Sequence, residues 1–373
     1  MFEQPLDHKD PSKGSFTQRL YISHVDEASP VVLVEEGYTA NYYYTSEPAA
    51  ILKCNQIIAE HRYFGESTPD SINWQYLTTW QSASDHHRII SEFKKFYTGK
   101  WITTGISKGG QTVIFHSFYY PNDADVRIPY VAPLNNSTED LRIYSFLDQV
   151  GSKDCRKRIH KFQKNCLKNQ EALLPAFKDF SEQKNYTYEL VGGLEKAYEY
   201  CVLEYSFAFW QWGYASCSEI PGKKASPEEV ITHMNKVAGF DYFADVFVKE
   251  YRPFYYQAYT EMGYYGYDLS EFRPYLKHVT EPGFEFSLPK GEEIVFENDL
   301  LLDVDHYLKT QAENFIFIYG EYDTWSATAV ELGENASSAV FVKEKGSHRT
   351  RIRNMPFEQQ EKIKSLLKEY LND

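Results

Sequence analysis

The chain has 373 residues, 42% of them apolar and 25% charged, which excludes a disordered or fibrous protein and allows one large domain with an insertion, or two domains. With 53 acidic and 39 basic side chains its formal charge is −14, so nucleic acid and anionic membrane are not expected partners. No apolar run reaches the length of a membrane span.

The first half alternates strand and helix signals. Phe16–Ser23 reads as a strand by alternation, and Val31–Glu35 and Asn55–Glu60 as short apolar strands of the buried, parallel kind. Ile89, Ile90, Phe93, Phe96 and Tyr97 recur at helical spacing, which predicts an amphipathic helix over 80–98. Trp101–Gly105 is a strand, a helix follows from Lys108, and Arg127–Pro133 is a further strand. From Ser137 to Leu300 the pattern is helical and rich in aromatics. Strand signals return at Asn314–Tyr319 and Ala339–Lys343, and a last helix carries Ile363, Leu366, Leu367, Tyr370 and Leu371 on one face. Strands alternating with helices imply a mostly parallel sheet with right-handed crossovers. The expected architecture is an α/β-hydrolase fold over 1–136 and 301–373, interrupted by a helical cap domain over 137–300.

Gly105-Ile106-Ser107-Lys108-Gly109 fits G-x-S-x-G between a strand and a helix, the context that motif requires. A nucleophile on so tight a turn clashes with large neighbours two residues away, and Gly105 and Gly109 remove those clashes. A serine needs a base, and the base an orienting carboxylate, in the chain order Ser, acid, His. The strand ending at Tyr319 runs into Gly320-Glu321-Tyr322-Asp323, which makes Asp323 the candidate acid, ahead of Glu321. The strand ending at Lys343 runs into Gly346-Ser347-His348, the one histidine that follows the last strand. The oxyanion hole needs two backbone N–H groups, assigned to Lys108 and Tyr38; the Lys108 side chain is expected to be an ordinary exposed lysine. Glu35 and Glu36, adjacent on the same loop, form an acidic pair that a substrate α-ammonium would neutralise; a paired or solvated acidic turn is the alternative. Glu261, in a run of five tyrosines from Tyr255 to Tyr265, is a rival anchor from the cap.

No cofactor and no metal are expected. His86 and His87 project about 100° apart on one helix and cannot chelate together, and Gly105–Gly110 lacks the pattern of a P-loop or dinucleotide fingerprint. Cysteines stand at 54, 155, 166, 201 and 217. The four from 155 to 217 fit one or two local disulfides of an oxidising compartment, or else all five are buried thiols. Glycosylation sequons occur at Asn135, Asn136, Asn185 and Asn335. Met1-Phe2-Glu3-Gln4 shows no signal peptide, which is read as absent or already removed.

Phe2-Glu3-Gln4-Pro5-Leu6-Asp7-His8, Phe16-Thr17-Gln18-Arg19-Leu20-Tyr21, Glu60-His61-Arg62-Tyr63-Phe64-Gly65-Glu66-Ser67, and Tyr256-Gln257 with Thr260 to Tyr265 resemble the prolyl carboxypeptidase and dipeptidyl peptidase II family. The likeness runs in patches from residue 2 to about 350. That family usually carries Gly-Gly-Ser-Tyr-Gly-Gly at the nucleophile, Gly-Asn-Glu-Gly in the early loop and Cys-x-Asp after the histidine. The departures here look more like the related secreted bacterial tripeptidyl aminopeptidases. The resemblance implies a secreted or periplasmic serine exopeptidase that releases di- or tripeptides from a free N-terminus, with Glu36 aligned to the family's loop glutamate. The alternatives are a prolyl-type carboxypeptidase holding the substrate carboxylate on Arg62 or Arg349, an esterase of the same fold, and a binding protein on an inactive hydrolase scaffold. The polar, tyrosine-rich cap argues against a lipase, and the intact Ser, Asp and His against the inactive scaffold.

Overall fold

In a computed structural model, which describes residues 1–333 and 337–372, the expected strand over 16–23 is two strands in different sheets. β1 (Phe2–Pro5) and β2 (Ser15–Gln18) form a small antiparallel pair, while β3 (Leu20–Ser23) edges the main sheet. Between them the Arg19 amide donates to Ser67 Oγ at 2.9 Å, which takes that residue out of either ladder. The main sheet adds β4 (Val31–Glu35), β5 (Asn55–Ala59), β6 (Trp101–Ile106), β7 (Val126–Tyr130), β8 (Ile316–Gly320) and β9 (Ala339–Lys343), in the order β3-β5-β4-β6-β7-β8-β9. All its pairings are parallel except β3 with β5. Residues of β4, β5, β7 and β8 are all buried, which is why these strands read as continuous apolar runs.

The helices are α1 (Glu47–Leu52), α2 (Thr79–Phe93), α3 (Lys108–Tyr119), α4 (Arg142–Leu147), α5 (Lys153–Lys168), α6 (Gln170–Gln183), α7 (Leu194–Trp212), α8 (Pro227–Ala238), α9 (Asp245–Glu250), α10 (Arg252–Gln257), α11 (Asp299–Thr310) and α12 (Phe357–Asn372). Alternate strand residues split the core between the two faces of the sheet. Val32, Val34 and Ile102 pack with Ile363 and Leu367 of α12, whereas Val31, Leu33 and Trp101 pack with Ile89 and Ile90 of α2. The second helix ends at Phe93, short of residue 98. Phe96 is exposed, and the chain turns there to bring the Thr98 amide to the Glu27 carbonyl at 2.8 Å. A mostly parallel sheet flanked by helices, with the helices α4 to α10 entering between β7 and β8, is the α/β-hydrolase fold. Among those helices α7 is buried on nearly all sides, from Ala197 to Trp210, and a Cys155–Cys217 disulfide joins the start of α5 to the turn after α7. Cys54, Cys166 and Cys201 are buried free thiols. Of the sequons, Asn135 is 2% exposed and donates to Gly263 O, and Asn335 lies outside the described residues.

The segment Glu60–Ser67 is scaffold. Glu60 accepts from the Ala40 and Ser67 amides, both at 2.9 Å, and from the Ser67 hydroxyl at 2.7 Å, which pins the loop after β4. Arg62, wholly buried, makes a two-pronged ion pair with Asp85 at 2.7 and 2.8 Å and donates to the carbonyls of Leu6 and Tyr76. A guanidinium committed in this way is not free for a substrate carboxylate, so the carboxypeptidase role weighed for Arg62 is withdrawn.

Candidate active site

The chain leaves β4 for β5 on one side and then crosses to β6 on the other. Loops after β4 and β6 therefore diverge, and a crevice opens at the carboxyl ends of these strands, where ligands of open α/β sheets bind. Ser107 stands there between β6 and α3, at φ 58°, ψ −121°, a strained conformation for a residue with a side chain. The turn is held because the Ser107 amide donates to Tyr130 O at 2.9 Å, and because glycines let the loops touch. A Cβ on Gly105 would lie 2.2 Å from the Gly109 carbonyl oxygen, and one on Gly37 would lie 2.5 Å from the Gly109 nitrogen. The second contact places the loop after β4 directly against the start of α3, so the Tyr38 and Lys108 amides sit on neighbouring segments. Neither amide has an acceptor among the described residues, as donors to a developing oxyanion must.

Asp323 and His348 follow β8 and β9. Asp323 is wholly buried and His348 is 3% exposed. His348 Nδ1 lies 2.7 Å from Asp323 Oδ2, and Asp323 Oδ1 accepts from the Trp325 amide at 3.2 Å. The cap helix α7 holds this corner: the His348 amide donates to Gln211 O at 2.7 Å, the Thr324 hydroxyl to Phe207 O at 2.8 Å, and Trp212 packs edge-on against the imidazole. Ser107 and His348 line one cavity of about 820 Å³, without a direct hydrogen bond between them, a spacing common in enzymes free of substrate.

A model of the PS-10 peptidase S37 family matches residues 1–367. The chain belongs to peptidase family S37. It is 34% identical over 344 residues to a prolyl tri/tetrapeptidyl aminopeptidase of Streptomyces mobaraensis, covering 90% of this chain and 71% of that one. It is also 28% identical over 185 residues to the serine protease vicPb of Bipolaris victoriae (strain FI3), covering 43% and 34% of the two chains. A proline iminopeptidase of Mycobacterium smegmatis resembles it in structure, at 14% identity and a TM-score of 0.43, over 95% and 99% of the chains. The protein is a serine peptidase, as the resemblance in its sequence implied.

Within this S37 peptidase three acidic residues named from sequence go to different places. Glu36 lines the cavity, accepts from Tyr44 Oη at 2.7 Å, and has its pKa raised by burial. Glu35, wholly buried, turns to the opposite side of the sheet, where its Oε1 lies 2.5 Å from His116 Nδ1. Strand alternation sends neighbours to opposite faces, so the pair cannot act together on one ammonium. Glu261 does not line the cavity; it caps α2 by accepting from the Thr79 amide at 2.6 Å, and burial pushes its pKa up to about 7.

Lys108 departs from expectation too. Its side chain is 2% exposed, and Nζ has no hydrogen-bond partner among the described residues. Nζ lies 5.9 Å from the Tyr38 ring centre and 5.6 Å from that of Phe64. Burial alone pulls its pKa well below the usual lysine range, so the amine is held toward its neutral form and packs under the loop after β4. Burial also pushes the Tyr38 phenol pKa well up, which keeps it protonated.

The carboxylate that sequence reasoning missed is Glu204 on α7. It lines the cavity, and its Oε2 accepts from Tyr265 Oη at 2.8 Å and Tyr267 Oη at 2.7 Å, which leaves Oε1 without a protein partner among the described residues. Burial pushes its pKa up to about 8. One signal was available: a glutamate inside the apolar run Cys201-Val202-Leu203-Glu204-Tyr205 of an all-buried helix, where an ionisable group is rarely placed without a task.

Proposed function

We propose that this S37 peptidase removes short peptides, three or four residues long, from free N-termini, through Ser107, His348 and Asp323. The observation that carries the reading is the chemistry of the cavity wall. Three carboxylates with an uncommitted oxygen, Glu36, Glu204 and Asp241, line the cavity, whereas its outer cations have partners of their own. Lys236 pairs with Glu219 at 2.8 Å, Arg353 with Glu47 at 3.8 Å, and Arg351 donates to the carbonyls of His348 and Thr350. Such a wall receives an ammonium, and it argues against a carboxypeptidase.

In the reaction Ser107 Oγ attacks the scissile carbonyl carbon while His348 Nε2 takes its proton and Asp323 holds the imidazole through Nδ1. The carbonyl oxygen becomes an oxyanion met by the Tyr38 and Lys108 amides. Collapse breaks the C–N bond, and His348 passes its proton to the leaving amine. Water, deprotonated by His348, then attacks the acyl-enzyme carbonyl, releases the N-terminal fragment and restores Ser107. Phe207, Trp212, Tyr264 and Trp325 line the cavity and offer flat faces to a proline ring before the scissile bond, in keeping with the prolyl preference in the Streptomyces relative's name.

Glu204 is the proposed anchor for the substrate amine, with Glu36 second. In the substrate-free cavity Glu204 is mostly protonated below about pH 8, so capture of an ammonium displaces that proton. Affinity for a free-amine peptide rises with pH as the carboxyl ionises and falls once the peptide amine, with a pKa of about 7.7–8.0, is itself deprotonated. The measurement is kcat/KM against pH for one peptide with free and with acetylated N-terminus. We expect acetylation and Glu204→Gln each to cost roughly tenfold to a hundredfold, and the substitution to remove the difference in pH profile between the free and the acetylated peptide. Glu261→Gln, off the cavity, leaves the ratio unchanged. A rate indifferent to acetylation but abolished by C-terminal amidation would overturn the aminopeptidase reading.

An exported protein is proposed from the Cys155–Cys217 bridge, since such bonds persist in oxidising compartments. Alkylation of unfolded protein, taken from its native compartment without reduction, should modify Cys54, Cys166 and Cys201 alone; labelling of all five cysteines would count against export.

A further inference from the structure

On the face of the sheet opposite the cavity, the side chains of Glu35, His86 and His116 meet. They come from the end of β4, from α2 and from α3, and each is at most 2% exposed. One carboxylate oxygen and one nitrogen from each ring lie within 4.8 Å of one another. An ion-pair network accounts for only part of the cluster. His116 is fully engaged, with Nδ1 on Glu35 at 2.5 Å and Nε2 on Asp123 Oδ2 at 3.0 Å. His86 is not: neither ring nitrogen has a hydrogen-bond partner among the described residues, and its Nδ1 stands 3.5 Å from Glu35 Oε2, which is unpartnered as well. An imidazole buried with both nitrogens unsatisfied is a cost that folded proteins avoid unless another group completes the site.

We propose that Glu35, His86 and His116 form a buried site for a divalent transition-metal ion of the zinc type. Two imidazoles and a carboxylate are a donor set suited to zinc, and unsuited to magnesium or calcium, which take oxygen. The outer shell is present too: Asp123 receives His116 Nε2, the carboxylate–imidazole–metal arrangement that fixes which nitrogen faces the ion. Ligand atoms on one tetrahedral ion stand about 3.3 Å apart. His86 Nδ1 is near that spacing from Glu35 Oε2, while His116 Nδ1 faces the other oxygen, Oε1, and must part from it by about 0.8 Å as the proton they share is displaced by a metal that the carboxylate bridges with both oxygens or reaches by a small turn. Glu35 does not line the substrate cavity, so the ion has no part in bond cleavage. Its role is to clamp β4 to α2 and α3 at the residue where the oxyanion loop begins. Spacing in the chain hid the site, because residues 35, 86 and 116 fit no local metal motif, and the pair weighed there was His86 with its outward neighbour His87.

The test uses the intact protein and zinc chloride alone. Protein expressed with added zinc and passed through a desalting column should carry about one zinc per chain by elemental analysis. Cobalt added in its place should give visible d–d absorption of a tetrahedral site, and either metal should raise the melting temperature. His86→Gln should lose the bound metal, the cobalt spectrum and the shift, while His87→Gln, which leaves all three ligands in place, keeps them. Because the first measurements are made on the unaltered protein, a variant that fails to fold does not shelter the proposal. Wild-type protein that binds no zinc and shows neither spectrum nor shift overturns it, as does metal retained by a folded His86→Gln protein.

Discussion

Ser107→Ala is expected to abolish peptide hydrolysis, lowering kcat by on the order of 10⁴ to 10⁶, because the covalent route closes and only binding and the oxyanion donors remain. The substitution removes one oxygen from a strained turn whose shape is set by the Ser107 amide bond to Tyr130 O and by Gly105. The fold should therefore be kept and the melting temperature held or raised. Labelling by a fluorophosphonate should vanish in step with activity. Persistent labelling of the alanine variant would show that another residue is the nucleophile; an unlabelled wild type would sink the catalytic reading and favour the inactive scaffold.

Asp323→Asn should cost about 10⁴ in kcat with little change in KM. His348 Nδ1 faces Asp323 Oδ2 at 2.7 Å, and the carboxylate is wholly buried. An amide in that place can turn its NH₂ toward Nδ1, which stabilises the tautomer carrying its proton on Nε2 and leaves Ser107 without a base. It also withdraws the charge that stabilises the imidazolium formed in the transition state. The check is steady-state kinetics on one peptide beside a thermal melt. A loss below tenfold would reopen the assignment of the acid to Glu321, whose Oε2 instead accepts from the exposed Lys345 amide.

The sheet was legible because each of its parallel strands is a short run of apolar residues whose meaning is local. The positions of Ser107, Asp323 and His348 at the ends of β6, β8 and β9 were legible in the same way, as candidates for a nucleophile and its partners. A nucleophile on a tight turn needs glycines at fixed offsets, and its partners need only follow the ends of late strands. The split between β2 and β3 was not legible, because it is made by a hydrogen bond from Arg19 to Ser67, 48 residues away. Nor was the burial of Lys108. In sequence it sits on an exposed-looking turn, and only the packing of Tyr38 and Phe64 encloses it.

The acidic residues show where local reading stops. Glu35 and Glu36 are neighbours, and composition alone treats them as one negative patch. The pleat of β4 sends the first to His116 behind the sheet and leaves the second on the cavity wall. Glu204 reaches that cavity because α7 lies across the crevice, a placement that depends on how the cap packs. By itself the sequence determined the fold class and marked Ser107, Asp323 and His348 as the candidate nucleophile, acid and base, because those follow from periodicity and from steric demands within a few residues. Only the tertiary structure decided which carboxylates line the cavity and which meet His86 and His116, since a side chain's neighbours across the fold are set by sheet register and helix packing between segments distant in the chain.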